Sequence, residues 1–259
     1  MSFPVTVGLD IGAEKVSYAT NQNGRILGTR GVTPDGRVFR WALNGGTALE
    51  AGKLVQTAAV IGASAHVNGL TVVNTTVTGV TTITVLMATT NVAANYYADG
   101  DLVVDTSPGQ AMYRIRSHPA GDSAANVEFT LYESDEIKDA MTSGTTLVGF
   151  RANPYTSVIV NPTTVTGAPL GQTTISVGAN RYFWLQTWGV ALGNMDQAVV
   201  AGKRVIASVL SAGQLDISST SSVDTTGANE ASSFPTIGYI QTAGAGADKY
   251  HRFFLTLSP

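Results

Sequence analysis

The chain has 259 residues, no cysteine, 13% charged residues and 44% hydrophobic residues, with 15 Lys plus Arg against 18 Asp plus Glu for a formal net charge of −3. The charge balance excludes a strongly basic nucleic-acid platform, the missing cysteine excludes disulfides, thiolate nucleophiles and sulfur-ligated zinc, and the apolar content excludes wholesale disorder. The length sets one or two domains, enough for a core without staples.

Charged residues are half the usual share of about 25%. Thr, Ser, Asn, Gln, Ala and Gly must therefore cover much of the surface. Such an exterior suits a protein packed against copies or partners, or a viral or secreted β-protein with a Thr-rich outside. No apolar run approaches the roughly 20 residues of a membrane span, and the opening Met1 to Asp10 lacks the basic and apolar regions of a secretory leader. Neither a membrane nor a nucleic acid is an expected partner.

Residues 1–30 contain little core and read as an arm that orders by docking onto a neighbour. Within them, Gly8-Leu9-Asp10-Ile11-Gly12 resembles the first phosphate-loop element of actin-like ATPases, but the helical units of that fold are missing. Asp35-Gly36 and Asp99-Gly100 are hairpin-turn signals. Ala48 to Val55 and Ala198 to Val205 share an Ala-Gly-Lys turn between strand-like runs, either a β-unit used twice or a common hairpin turn.

Period-two patterning dominates the middle of the chain. Val77 to Met87 places Val77, Ile83, Val85 and Met87 on one face and threonines on the other. Met112 to Arg116 and Asn126 to Tyr132 alternate likewise. Ser134 to Met141 is the one stretch of helical character, with a serine cap and acids in its first turn. Tyr182 to Trp188 is aromatic on both faces, as in a strand buried on two sides or covered by a partner. Isoleucine 217 to Ser233 is a Ser/Thr-rich low-complexity loop. The expected architecture is all-β, of sandwich or barrel type with short hairpins and long loops. The expected organisation is an arm at 1–30, a β-rich domain at 31–150 and a second at 151–259 carrying the loop at about 217–233.

Catalytic and metal signals are weak throughout. Val104-Asp105-Thr106-Ser107 has the form of an aspartic-protease loop without a second copy to share its proton. Asp99-Gly100-Asp101 offers too few oxygens for calcium. His66, His118 and His251 stand far apart in sequence, outside any metal-binding pair. A β-sandwich hydrolase would need a carboxylate pair, and Asp135, Glu136 and Asp139 read instead as a solvated acidic stretch. Tyr182, Phe183, Trp184 and Trp188 could stack sugars but at strand spacing read as core. No catalytic, cofactor-binding or metal-ligating residue is assigned, and no enzyme activity is expected.

Several segments in shared order resemble the head decoration (cement) proteins of tailed phages. They are Asp35 to Asn44, Ala48 to Val55, Tyr97 to Val104, Tyr113 to Pro119, Asn153-Pro154-Tyr155, Val158 to Pro162 and Trp184 to Gly189. The resemblance implies a β-rich virion protein, made in the host cytoplasm, that binds the outer face of an assembled capsid lattice, commonly as a homotrimer. It implies the major capsid protein as partner and no catalytic residues. The alternative is a tail or baseplate adhesin recognising a host surface glycan through its aromatic strand and long polar loop.

Overall fold

The computed structural model describes residues 6–58, 65–107, 111–164, 166–218, 235–246 and 249–259. Among these residues the regular secondary structure is β apart from two single-turn 3-10 segments. The all-β expectation therefore holds. The chain forms two compact units, one made of Met1–Ala58 with Tyr155–Pro259 and the other of Ala59–Pro154. This partition corrects the expected division at residue 150. A continuous unit is inserted into a discontinuous one, whose two pieces pair strand to strand across the insertion.

The discontinuous unit opens with β1 (Thr6–Gly8), β2 (Ser17–Tyr18), β3 (Arg30–Val32), β4 (Val38–Leu43) and β5 (Leu54–Gln56). The inserted unit supplies β6 (Leu70–Thr71), β7 (Thr82–Leu86), β8 (Asp101–Val104), β9 (Met112–Ser117), β10 (Asn126–Leu131) and β11 (Leu147–Arg151). The first unit then resumes with β12 (Ile159–Val160), β13 (Pro169–Gln172), β14 (Tyr182–Met195), β15 (Arg204–Ala207), β16 (Leu215–Ile217), β17 (Gly238–Ile240) and β18 (Lys249–Thr256).

The inserted unit is one antiparallel sheet in the order β6-β11-β8-β9-β10-β7, and a bridge between Val72 and Val85 brings its two ends together. Alternation decides what fills the interior: Ile83 and Val85 from β7, Tyr113 and Ile115 from β9, and Val127, Phe129 and Leu131 from β10 are all buried. Phe150 stacks on Phe129 with ring centroids 4.2 Å apart and on Tyr97 at 5.2 Å. Three local expectations change here. Val77 precedes the strand and is exposed, because the chain turns at Gly79 before β7 begins. Asp99-Gly100 leads into β8 rather than closing a hairpin, and the hairpin is β8–β9. Ser134 to Met141 is not helical. Its Ile137 and Met141 side chains plug the core, while its backbone bonds to that of Val80, Gly79 and Thr76. Burial of two apolar residues and these cross-chain hydrogen bonds outweigh a weak local helical preference.

In the discontinuous unit one pairing scheme occurs twice. β4 runs antiparallel to Tyr182–Trp188 of β14, and the remainder of β14 runs antiparallel to β18. β5 lies between β12 and β13 as β15 lies between β16 and β17. A parallel bridge joins Asn44 to Val158, and Met195 to Leu215 repeats it. Leu49 bridges Val177 as Val199 bridges Gly244. The Gly52 N–H donates to the Thr173 carbonyl and the Gly202 N–H to the Ile240 carbonyl, each at 2.8 Å. Gly52 and Gly202 both sit at positive φ, +73° and +80°, where a Cβ is strained. The two Ala-Gly-Lys segments are therefore the same β-unit used twice. β14 is shared, closing the first repeat and opening the second. Between β5 and β12 the first repeat carries residues 57–158, whereas residues 208–214 make the equivalent connection between β15 and β16.

The segment expected to be an arm docking onto a neighbour is folded onto its own chain over its described residues, 6–30. β1 pairs in parallel with β3, and β3 pairs antiparallel with β4. Leu9 and Leu27 are buried against Phe39, Trp41 and Trp184. At Gly31 a Cβ would lie 2.6 Å from Leu9 Cδ1 and 2.8 Å from the Trp184 ring, so only glycine permits this approach. Two leucines thus tie the segment to its own chain. Of the Ser/Thr-rich loop, Ile217 ends β16 and residues 219–234 lie outside the described residues.

Two truncations should behave oppositely. Replacing residues 59–154 with a short turn like 208–214 should leave the remaining unit cooperatively folded by near-ultraviolet circular dichroism. Deleting residues 1–29 should not, because each tryptophan then exposed forfeits on the order of 4 kcal/mol of burial. A cooperative, native-like spectrum from the second truncation would contradict this account.

Candidate functional site

In the second repeat the outward face is left uncovered by the described residues. Along β14, Ala191 and Met195 point into the core, so Val190, Leu192 and Asn194 point out. Along β18, Phe253 and Leu255 are buried while Tyr250, Arg252 and Phe254 face out. Cross-strand register sets Leu192 opposite Arg252, Val190 opposite Phe254 and Asn194 opposite Tyr250. Trp188 meets Phe254 edge-on at 5.4 Å, and Tyr239 on β17 lies opposite the same ring. Leu192 is 61% exposed and Tyr250 54%. A contiguous aliphatic and aromatic strip results, which is unusual on a monomer surface.

The counterpart face of the first repeat is closed. The shared pairing scheme puts Trp41 where Leu192 stands and Trp184 where Arg252 stands. Trp41 is 0% exposed and Trp184 2%. Residues 6–30 cover them: the Arg25 guanidinium lies 4.9 Å from both rings, and the Trp41 indole N–H donates to Asn21 Oδ1 at 3.0 Å.

A cavity of about 530 Å³, of the size that takes small ligands or side chains, adjoins the open strip and includes Val190, Leu192, Tyr250 and Arg252 in its wall. Its polar side is built from the N-terminal segment and the β3–β4 turn. Arg37 Nη2 meets Glu14 Oε1 at 3.1 Å, and Arg37 Nε meets Asp35 Oδ2 at 2.7 Å. Glu14 is buried, which pulls its carboxyl upward. Hydrogen bonds from the backbone N–H of Glu14 and Gly12 and from Arg37 outweigh this and hold it below the usual carboxylate range. Asp35 is held low first by the Thr33 hydroxyl and then by Arg37. The two carboxylates are therefore ionised and share one guanidinium. Lys15 and Arg252 also line the cavity, and neither has an ion-pair partner among the described residues.

The β14 edge in this cavity carries side-chain amides instead of a strand. Gln172 Nε2 donates to the Leu192 carbonyl at 2.6 Å and to that of Gly52 at 3.0 Å. Gln186 Nε2 donates to the Val190 carbonyl at 2.8 Å. In the first repeat β3 occupies the corresponding edge of β4. The Tyr250 hydroxyl donates to the Ala51 carbonyl at 3.1 Å and holds its ring beside Gly52. The site combines apolar ground, two cations without an ion-pair partner among the described residues and an acidic pair half-neutralised by Arg37.

The other residues singled out in the sequence serve the fold. His66 and His118, remote in sequence, converge on Tyr97. The Tyr97 hydroxyl bonds to His66 Nδ1 at 2.9 Å, and the Tyr97 N–H donates to His118 Nε2 at 3.0 Å. Their remaining nitrogens donate to the carbonyls of Thr90 and Pro119. Every ring nitrogen is engaged, so both imidazoles are packing elements of the core. His251 faces inward against Gly244. Asp105 accepts from the Gly69 N–H as a turn cap. Asp99 accepts from the Tyr132 hydroxyl and Asp101 pairs with Arg114. Asp135 accepts from the Arg114 N–H, and Glu136 pairs with Lys138. Gly8 to Gly12 runs from β1 into a 3-10 turn. The aromatic run 182–188 divides: Phe183 and Trp184 are core, as the two-sided pattern requires, whereas Trp188 belongs to the open strip. Sequence reasoning missed Leu192, Tyr250, Arg252 and the Glu14–Arg37–Asp35 cluster. Only the twofold match of Ala-Gly-Lys turns hinted at the repeat that explains them. No family model, curated protein or solved structure matches the chain.

The two core histidines make the inserted unit acid-sensitive. Burial pushes both imidazoles below the ordinary value of 6.5, with the acceptor carbonyls of Thr90 and Pro119 only partly opposing it. Below that value the unfolded chain binds protons that the folded unit refuses, so stability is full above it and falls as pH drops through it. The melting temperature of this unit should decline by several degrees between pH 7.5 and 5.5 in calorimetry. His66→Asn should flatten part of that decline, and a pH-independent transition in the parent chain would refute the assignment.

Proposed function

We propose that the chain is a structural virion protein that binds the outer surface of an assembled tailed-phage capsid and stabilises it, acting as a head decoration protein. The observation that carries this reading is the uncovered strip of the second repeat, set on a chain with 13% charged residues. Surface of this kind associates by burying area rather than by pairing charges. A ligand that recognises only the completed lattice stabilises it by mass action. Several copies joined as a homotrimer would each present one such strip, and modest single contacts become firm attachment through multivalency. The partner under this reading is the major capsid protein.

Antibody-gold labelling and imaging of intact particles should find the protein in hundreds of copies over the heads. Attachment should persist from low salt to about 1 M, a strength that screens exposed ion pairs beyond about 3 Å. Release in high salt, or labelling confined to tails, would overturn the proposal.

One observation favours the second reading, a tail or baseplate adhesin. Trp188, Tyr239, Tyr250 and Phe254 lie on one face, and aromatic faces can stack on sugar rings. A glycan-array signal that disappears on Trp188→Ala would select the adhesin. Its absence leaves the strip to a protein partner.

A further inference from the structure

We propose that the groove flanked by Leu192, Tyr250 and Arg252 docks an extended segment of a partner polypeptide that carries aliphatic side chains and at least one carboxylate. The inference deepens the decoration reading and rests on it only for the source of that segment.

The molecule contains its own precedent. The same face of the first repeat is covered by residues 6–30, an irregular and mostly extended stretch that buries Leu9 and Leu27 on the sheet. It reaches the edge of β4 through β3. The second repeat has the face, a cavity of about 530 Å³ beside it and an edge whose Val190 and Leu192 carbonyls are met by glutamine amides, but no covering segment among the described residues.

The residue exchanges between the repeats define what the missing segment must carry. Leu192 replaces Trp41, so an aliphatic contact serves where an aromatic one did. Arg252 replaces Trp184, and this reverses the charge preference. In the first repeat the covering segment sets a cation, Arg25, 4.9 Å over Trp184. A cation over Arg252 would be repelled, whereas a carboxylate would meet Arg252 and Lys15, neither ion-paired among the described residues. Glu14 and Asp35 do not compete, because Arg37 already holds them.

The test uses the full chain and two synthetic eight-residue probes, one alternating Leu and Glu and the other alternating Leu and Lys, followed by titration calorimetry and amide NMR shifts. The Leu–Glu probe should bind saturably and shift the amides of 190–192 and 250–252, while the Leu–Lys probe should not. Arg252→Glu should weaken the Leu–Glu probe about tenfold and admit the Leu–Lys probe. That gain separates loss of the site from loss of folding. Leu192→Asp should abolish both. Equal binding of the two probes, or shifts confined to other residues, would overturn the proposal. So would a parent chain that sediments as an oligomer dissociated by Leu192→Asp, since the occupant would then be a second copy. Probe binding with the expected reversal, in a protein absent from heads, would keep the docking site and sink the decoration reading. Full head occupancy by the Arg252→Glu variant without probe preference would do the reverse.

Discussion

An apolar sheet face has to be covered, and this constraint organises the discontinuous unit. A pleated strand sends successive side chains to opposite sides, so a sheet with one buried face presents a second face that must be either polar or packed. In the first repeat that second face carries Phe39, Trp41 and Trp184, and residues 6–30 close over it with Leu9, Leu27 and Arg25. In the second repeat the equivalent positions hold Val190, Leu192 and Arg252, and no described segment covers the face. The asymmetry between two otherwise matching sets of strands is what separates a structural face from a candidate binding face.

The two repeats also explain where the second compact unit enters the chain. The connection from β5 to β12 is a turn in the scheme, as residues 208–214 illustrate, and turns tolerate insertions because added length costs little closure entropy. The inserted unit brings its own core, centred on Phe129, Phe150 and Tyr97. It satisfies the buried ring nitrogens of His66 and His118 internally.

The polar groups around the cavity are arranged as stable ion pairs and hydrogen bonds, with Arg37 between Glu14 and Asp35 and the glutamine amides on the β14 edge. Lys15 and Arg252 have no ion-pair partner among the described residues and lie beside aliphatic and aromatic carbon. Such a combination favours a segment with complementary charge and apolar side chains, and it derives most of its free energy from area removed from water.

The amino-acid sequence by itself determined the β class, the alternation that fills the inserted core from Ile83 to Leu131, the Asp35-Gly36 hairpin and the two-sided burial of Phe183 and Trp184. These follow from local rules, since period-two patterning and turn chemistry act over a few residues. Tertiary structure alone decided the rest. It turned Ser134 to Met141 from a helix into a plug, drew His66 and His118 onto one tyrosine, folded residues 6–30 onto their own chain and made the Ala-Gly-Lys resemblance a true repeat. Only it left Leu192 and Arg252 open while covering Trp41 and Trp184. Each of these outcomes depends on which face another segment, distant in sequence, happens to occupy, and no local pattern encodes that occupancy.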